Sequence, residues 1–278
     1  MESERLLRIP ELQRSSNRLT VPSDDKSLYE AAMAKYRVDQ MLVDRGLVES
    51  RAKAQALILA GLVFSGERKI EKAGQPLPEE APLEVRGREH PWVSRGGIKL
   101  AHALDHFGWD VTGTIGLDVG SSTGGFTDVL LQRGAAKVFA IDVGTNQLAW
   151  KLRQDARVIV HEQTNARYLT AEIVTEPVDI VVCDASFISL AKVLDTAIDF
   201  ARPGGRLAAL VKPQFEAERG EIGKGGVVRD PEVHARVSDA AAAWVQSRGW
   251  TVVGVEKSPI TGPEGNVEFL LGAVKGEG

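Results

Sequence analysis

The segment TIGLDVGSSTGGFTDVLLQRGA, residues 114–135, sets glycine, serine and threonine between two apolar runs. A strand, a glycine-rich turn and a restarted helical pattern form the opening unit of a doubly wound sheet, where ligands bind at the carboxyl ends of strands. Downstream, short aliphatic or β-branched runs alternate with helical segments, which argues for parallel strands joined by crossovers. Strands are predicted at Thr114–Val119, Lys137–Asp142, Val158–Glu162, Pro177–Asp184, Arg206–Val211, Trp250–Lys257 and Val267–Ala273. The last two read as an antiparallel hairpin on one edge. The expected class is α/β, a mostly parallel seven-stranded sheet with the last strand antiparallel, over residues 98–278.

Working outward, the 278 residues are 43% hydrophobic, ample for a buried core, and carry a net charge of −4. That balance shows no global polycation, although a local basic patch remains compatible with it. One cysteine, Cys183, excludes a disulfide framework and a clustered thiolate metal site, and fits a cytoplasmic protein. No metal is expected. No apolar run approaches the roughly 18 to 20 residues that span a bilayer, and no membrane partner is expected. Residues 1–35 are polar, charged and broken by Pro10 and Pro22, which reads as a disordered tail or a start misassigned ahead of Met33.

Residues 36–88 form a second unit. Val38, Met41, Leu42 and Val43 lie on one helical stripe that Gly46 stops; Ser50 caps a second helix, Arg51–Ala60, with Ala54, Leu57 and Ile58 inward and Gly61 behind it. LVFSG and PLEVRG add short strands, giving a small α+β domain. Arg45, Arg51, Lys53, Arg68 and Lys69 are placed to bind phosphate oxygens, or are solvated charges nearly balanced by acids. A linker over 89–97, interrupted by Pro91 and Gly96-Gly97, precedes a helix over Ile98–Phe107.

The turn at GLDVGSSTGGFT lacks a pyrophosphate signature. A dinucleotide fingerprint requires Gly-x-Gly-x-x-Gly, and counting from Gly120 the second position is Ser122; no Gly-Lys-Ser/Thr follows for a P-loop. Asp118 precedes the turn and Asp142 closes the next strand, and carboxylates there can accept ribose hydroxyls or face a cationic ligand. The turn residues Gly120, Ser122, Thr123, Gly124, Gly125 and Phe126, with Asp118, Asp142 and Asn165, therefore suggest S-adenosylmethionine in a Rossmann-like methyltransferase. Asn165 would meet the adenine.

The fourth strand ends in CDASF, residues 183–187, without the prolines of base-amine methyltransferases. Cys183 is the one candidate nucleophile for carbon methylation, but strand alternation sends it opposite Asp184. Ribose methylation instead requires a base for an alcohol proton, and Lys99, Asp184, Lys212 and Glu268 could serve. Taken singly, the lysines also read as surface charges, Asp184 as a turn initiator and Glu268 as an edge charge.

RVDQMLVDRGLVESRAKAQALILAGLVFSG resembles the RNA-binding module named after the fourth small-subunit ribosomal protein, with Arg37 and Asp39 in its pattern and Ser65-Gly66 at the usual Asn-Gly tip. The order Lys, Asp, Lys, Glu is that of FtsJ-type ribose methyltransferases. Together with WVSRGGIKLAHAL, DVGTNQLAWKLRQD, VKPQFE and GKGGVVRDP, the chain from residue 36 resembles the TlyA, or haemolysin A, family of rRNA methyltransferases. The resemblance implies S-adenosylmethionine as cofactor, ribosomal RNA or a ribosomal subunit as partner, and cytidine 2′-O-methylation as reaction. It also implies Lys212 as base, Asp184 positioning it, and Lys99 with Glu268 holding the ribose. REHPWV departs from the family's Arg-x-Trp-Val linker. The glycine-rich segment 216–234 reads as a loop closing over substrate, with Lys224 and Arg229 holding a phosphate. A membrane-active haemolysin lacks support from any spanning or basic amphipathic segment. A catalytically silent SAM- and RNA-binding protein would lack the Lys-Asp-Lys-Glu set, which is intact.

Overall fold

The computed structural model describes residues 35–86, 90–262 and 264–277. The expected tail over 1–35 and the question of Met33 lie outside the described residues, except that Lys35 already pairs in a strand. In the first unit β1 (Lys35–Arg37) leads into α1 (Val38–Asp44), which ends before Gly46 at φ +63°, a conformation without steric cost for glycine. Ser50 caps α2 (Arg51–Leu59), its hydroxyl oxygen accepting from the Lys53 backbone N–H at 3.2 Å. β2 (Val63–Ser65) and β3 (Arg68–Lys69) form a hairpin, β4 (Pro76–Pro78) pairs with β1, and β5 (Glu84–Val85) pairs with β2. The β1–β4 pair is absent from the sequence reading because prolines cannot donate to a ladder and register only at an edge. Val38, Leu42, Ala54, Ile58, Val63 and Ile70 fill this unit's core.

The second unit opens with α3 (Gly96–His106). The sequence reading starts this helix at Ile98 and treats Gly96-Gly97 as an interruption; both lie inside its first turn. The reason is close packing, since a Cβ on Gly97 would meet Trp92 at 2.4 Å. Then come β6 (Ile115–Val119), α4 (Gly125–Gln132), β7 (Lys137–Ile141), the short α5 (Trp150–Arg153), β8 (Val158–His161) and β9 (Val178–Cys183). They are followed by α6 (Leu190–Leu194), β10 (Ala201–Val211), α7 (Pro213–Glu216), α8 (Pro231–Ser247), β11 (Trp250–Lys257) and β12 (Phe269–Lys275). The seven-stranded sheet has the order β11-β12-β10-β9-β6-β7-β8, and β12 alone runs antiparallel to its neighbours. The expected class and the edge hairpin are both present.

Strand β9 shows why the sheet is apolar on both faces: Ile180 and Val182 pack with Leu100, Leu104 and Leu130, whereas Val181 and Cys183 pack with Leu194, Ile198 and Val237. From β6 the chain moves outward to β7 and β8, then crosses to β9 on the other side of β6. The crevice at the carboxyl ends of β6 and β9 is therefore the switch point of the sheet. β10 begins at Ala201, ahead of the predicted Arg206, with a register break across Pro203-Gly204-Gly205. The segment 216–234 is also more ordered than an open loop. Gly223 and Val227 form a bridge, and the buried Asn266 side chain braces the turn, accepting from Val228 N–H and donating to Gly226 O, both at 3.0 Å. Helix α8 begins at Pro231, capped by Asp230. Among the described residues no helix is long and apolar enough to cross a membrane.

Candidate active site

The glycine turn sits at the switch point. Gly120 and Ser121 N–H groups donate to Ile141 O at 2.9 and 3.1 Å, tying the turn to β7. Gly124, at φ +94°, opens α4, and Gly125 is crowded: a Cβ there would lie 2.3 Å from Ser94 Oγ and 2.9 Å from the Gly97 nitrogen. Ser122 holds a left-handed φ of +47° without being glycine, and its N–H donates to Asp142 Oδ2 at 2.8 Å. Asp142 Oδ1 accepts from Gly144 N–H at 2.7 Å.

Asp142 and Asn165 line a cavity of about 580 Å³ with Val119, Ile141, Val143 and Ala166. Among the described residues no lysine or arginine lines it, while Asp142 and Asp184 both do. Such a slot repels phosphates and suits an uncharged nucleoside or a cation. Asn165 also caps a short turn, its Oδ1 accepting from Arg167 N–H at 3.1 Å. Asp118 lies elsewhere. It is fully buried behind the turn, with Oδ2 accepting from Thr127 N–H at 3.0 Å and Thr127 Oγ1 at 2.6 Å, and burial pushes its carboxyl up to about 7. Its geometry clamps the first turn of α4.

A second cavity, of about 370 Å³, shares Gly120, Ser122, Asp184 and Ser186 with the first. At that junction four side chains from four elements meet in alternating charge. Glu268 Oε2 accepts from Lys99 Nζ at 2.6 Å; Lys99 Nζ is 3.6 Å from Asp184 Oδ2; Asp184 Oδ1 is 2.7 Å from Lys212 Nζ. Lys212 also donates to Ser186 Oγ at 2.9 Å and Asp184 O at 3.2 Å. Lys99 comes from the first turns of α3, Asp184 directly follows β9, Lys212 follows β10, and Glu268 directly precedes β12. Lys99, Lys212 and Glu268 are all buried, which only such mutual pairing makes tolerable. Cys183 points into the core on the opposite face, where burial pushes its thiol up to about 12, so it is no thiolate nucleophile.

A model of the FtsJ-like methyltransferase matches residues 92–275, and a model of the S4 domain matches residues 37–82. The chain is 51% identical over 236 residues to TlyA of Mycobacterium tuberculosis, a 16S/23S rRNA (cytidine-2′-O)-methyltransferase, covering 84% of this chain and 88% of that protein. The chain belongs to the TlyA family. YqxC of Bacillus subtilis, which bears an rRNA methyltransferase name, is 49% identical over 85% of each chain. A solved structure from Streptococcus thermophilus that bears a haemolysin name superposes with a TM-score of 0.68 at 43% identity, covering 88% of this chain and 90% of that one.

In this TlyA-family chain the S4 module also reaches the cavity lined by Lys99, Asp184, Lys212 and Glu268. Gly46 packs so closely that a Cβ would meet Trp150 N at 2.9 Å, and Glu49 lines the 370 Å³ cavity. Of the cations singled out in the module, Arg37 and Arg51 are half exposed and share the buried Asp39, which accepts from both and from Gln55 at 2.9 to 3.1 Å. The Arg37 guanidinium, with the help of Gln55 and Arg51, holds the Asp39 carboxyl well below the usual carboxylate range, against the cost of burial. Arg45 instead donates to the backbone carbonyls of Ala81 and Glu79, bracing the module. Lys53, Arg68, Lys69, Lys224 and Arg229 are exposed. The sequence reading did not single out Glu49, Ser94, Arg95, Ser186 or Thr261, which all line the 370 Å³ cavity. Ser186 stands inside the quoted CDASF and Arg95 beside Gly96-Gly97, so those two carried a local signal; Glu49 and Thr261 carried none. Thr123, Gly125 and Phe126 line the same cavity.

Proposed function

We propose that this chain transfers a methyl group from S-adenosylmethionine to the ribose 2′-hydroxyl of a cytidine in ribosomal RNA. The observation that carries the reading is the Glu268–Lys99–Asp184–Lys212 chain at the junction of the two cavities. The cation-free slot beside it fits the cofactor: Asp142 would hold the ribose hydroxyls, Asn165 the adenine, and the turn from Gly120 to Phe126 the amino-acid end. S-adenosylmethionine, when bound, supplies a methyl group made electrophilic by its sulfonium. Asp184, facing both cavities, favours positive charge at the junction.

On the acceptor side, Lys212 Nζ in its neutral form accepts the proton of the ribose hydroxyl. Asp184 and Ser186 fix the direction of that amine through bonds already made. Asp184 is shared between Lys212 at 2.7 Å and Lys99 at 3.6 Å, while Lys99 has Glu268 as its own partner at 2.6 Å. Lys99, anchored by Glu268, donates to the sugar and keeps it in line. The exposed cations of the S4 module, with Lys224 and Arg229, bind backbone phosphates and set the register of the RNA without reading its bases. Asp118 is assigned the upkeep of the turn. The intact ribosomal subunit is the expected form of substrate, and the module's Glu49 lines the same cavity as Lys99, Asp184, Lys212 and Glu268.

The test is to map 2′-O-methyl groups in rRNA from strains with and without this protein. A cytidine methylated only in its presence is the expected result. Identical maps would sink the assignment.

A further inference from the structure

Outside the reaction site, three metal-ligating side chains converge. His102 and His106 stand one helical turn apart on α3, and Glu256 faces them from β11. Nε2 of His102 lies 3.8 Å from Glu256 Oε1, and Nε2 of His106 lies 3.9 Å from Oε2. One ligand atom from each residue falls within 4.8 Å of the other two. The packing that brings them together is specific: Phe107, directly after α3, fills a trough in the β11–β12 hairpin where a Cβ on Gly254 or Gly272 would come 3.3 or 2.6 Å from its ring. That trough seats the last turns of α3 on the face of β11 that carries Glu256. Contacts between the His102 and His106 rings at 6.0 Å, and between His106 and Phe107 at 5.0 Å, restrict the imidazoles further. His102 Nε2 is buried and makes no hydrogen bond, a costly state for a polar nitrogen facing a carboxylate.

We propose that His102, His106 and Glu256 bind one zinc-class divalent ion, with water completing the coordination. Two imidazoles and a carboxylate suit Zn²⁺ and its late first-row neighbours, whereas Mg²⁺ and Ca²⁺ favour all-oxygen sets. Zinc ligands at about 2.0–2.1 Å define a tetrahedron with edges of about 3.4 Å, so ligand atoms that now lie within 4.8 Å of one another close by up to about 1.4 Å on binding. The site is half exposed at its rim and open to an ion from solvent. None of the three residues lines the catalytic cavity, so the ion is a clip and not a Lewis acid for the reaction. It would fasten α3, which carries Lys99, to β11, which continues into Ser258, whose N–H donates to Glu268 O at 2.9 Å. The elements that supply the Lys99–Glu268 pair are thereby held together.

The experiment titrates metal-stripped full-length protein with ZnCl₂ by calorimetry and with CoCl₂ by visible absorption. Saturable binding at one equivalent, with a tetrahedral cobalt spectrum, is expected. His106→Ala and Glu256→Gln should each weaken zinc by more than about tenfold and abolish the cobalt bands. Both positions are partly exposed, and circular dichroism of the metal-free variants checks that they fold. Absence of saturable binding, or unchanged affinity and spectrum in both variants, would overturn the proposal.

Discussion

Replacing Lys212 by methionine keeps the aliphatic stem and its packing but removes the amine that bonds Ser186 Oγ at 2.9 Å and pairs with Asp184 Oδ1 at 2.7 Å. A positioned general base contributes about 10²- to 10⁴-fold, so kcat should fall by that factor, equivalent to about 3–5 kcal/mol of barrier. Asp184 retains Lys99 at 3.6 Å and is 20% exposed, so its charge is not stranded and the stability loss should stay near 1–2 kcal/mol. S-adenosylmethionine affinity should change little, because Lys212 lies on the side of the junction away from Asp142 and Asn165. The assay is single-turnover methyl transfer to ribosomal subunits, with calorimetry for the cofactor. A variant within threefold of wild type refutes Lys212 as base; a variant that loses cofactor binding in parallel refutes the division of labour between the cavities.

Asp118 is more easily protonated in the folded chain than at its ordinary value of 3.8, so the folded state binds the extra proton between that value and about 7. Stability should therefore fall as pH rises through that window and level off above it, and Asp118→Asn should abolish the slope and raise the unfolding free energy at pH 8 by up to a few kcal/mol, read as a higher melting temperature. A steeper slope in the variant would count against the burial argument. Asp39 has the opposite sign: its depressed carboxyl stabilises the S4 module above its ordinary pKa and loses that contribution as pH falls through its folded value. Asp39→Asn should cost about 1–2 kcal/mol in chemical denaturation, the half-exposed arginines limiting the figure. Gly125→Ala places a methyl group against Ser94 Oγ and the Gly97 backbone, and should lower cofactor affinity by about tenfold or more; normal binding in calorimetry would show that the turn can yield. Arg68→Ala should weaken rRNA binding and reduce the salt slope of the affinity by about one, whereas an unchanged slope removes Arg68 from the phosphate contacts.

Much of the fold is legible in short range because strand and helix periodicities and caps are local. Gly46, Ser50 and Gly61 mark the helix ends of the S4 module, and all seven strands of the large sheet lie where aliphatic runs occur. The errors also have local causes. Gly96 and Gly97 look like breakers in isolation, but α3 needs them to approach Trp92 and the glycine turn. The 223–227 segment looks like a loop because its brace, Asn266, lies some forty residues away.

For the site, the residue types and their strand-end positions were enough to nominate Asp142, Asn165 and the set of Lys99, Asp184, Lys212 and Glu268. A nomination of that kind rests on strand order, which places loop residues at one rim of the sheet. What the sequence by itself determined is the alternation of elements, the turn chemistry and the candidate list. Tertiary structure alone decided that Glu268 and Lys99, 169 residues apart, meet at 2.6 Å. It also decided that Asp118 faces away from the cavity, that Arg45 is spent on carbonyls, and that Glu49 lines the same cavity as that pair. These outcomes depend on which buried charge finds which partner, and in a packed interior that is settled by all neighbouring elements at once.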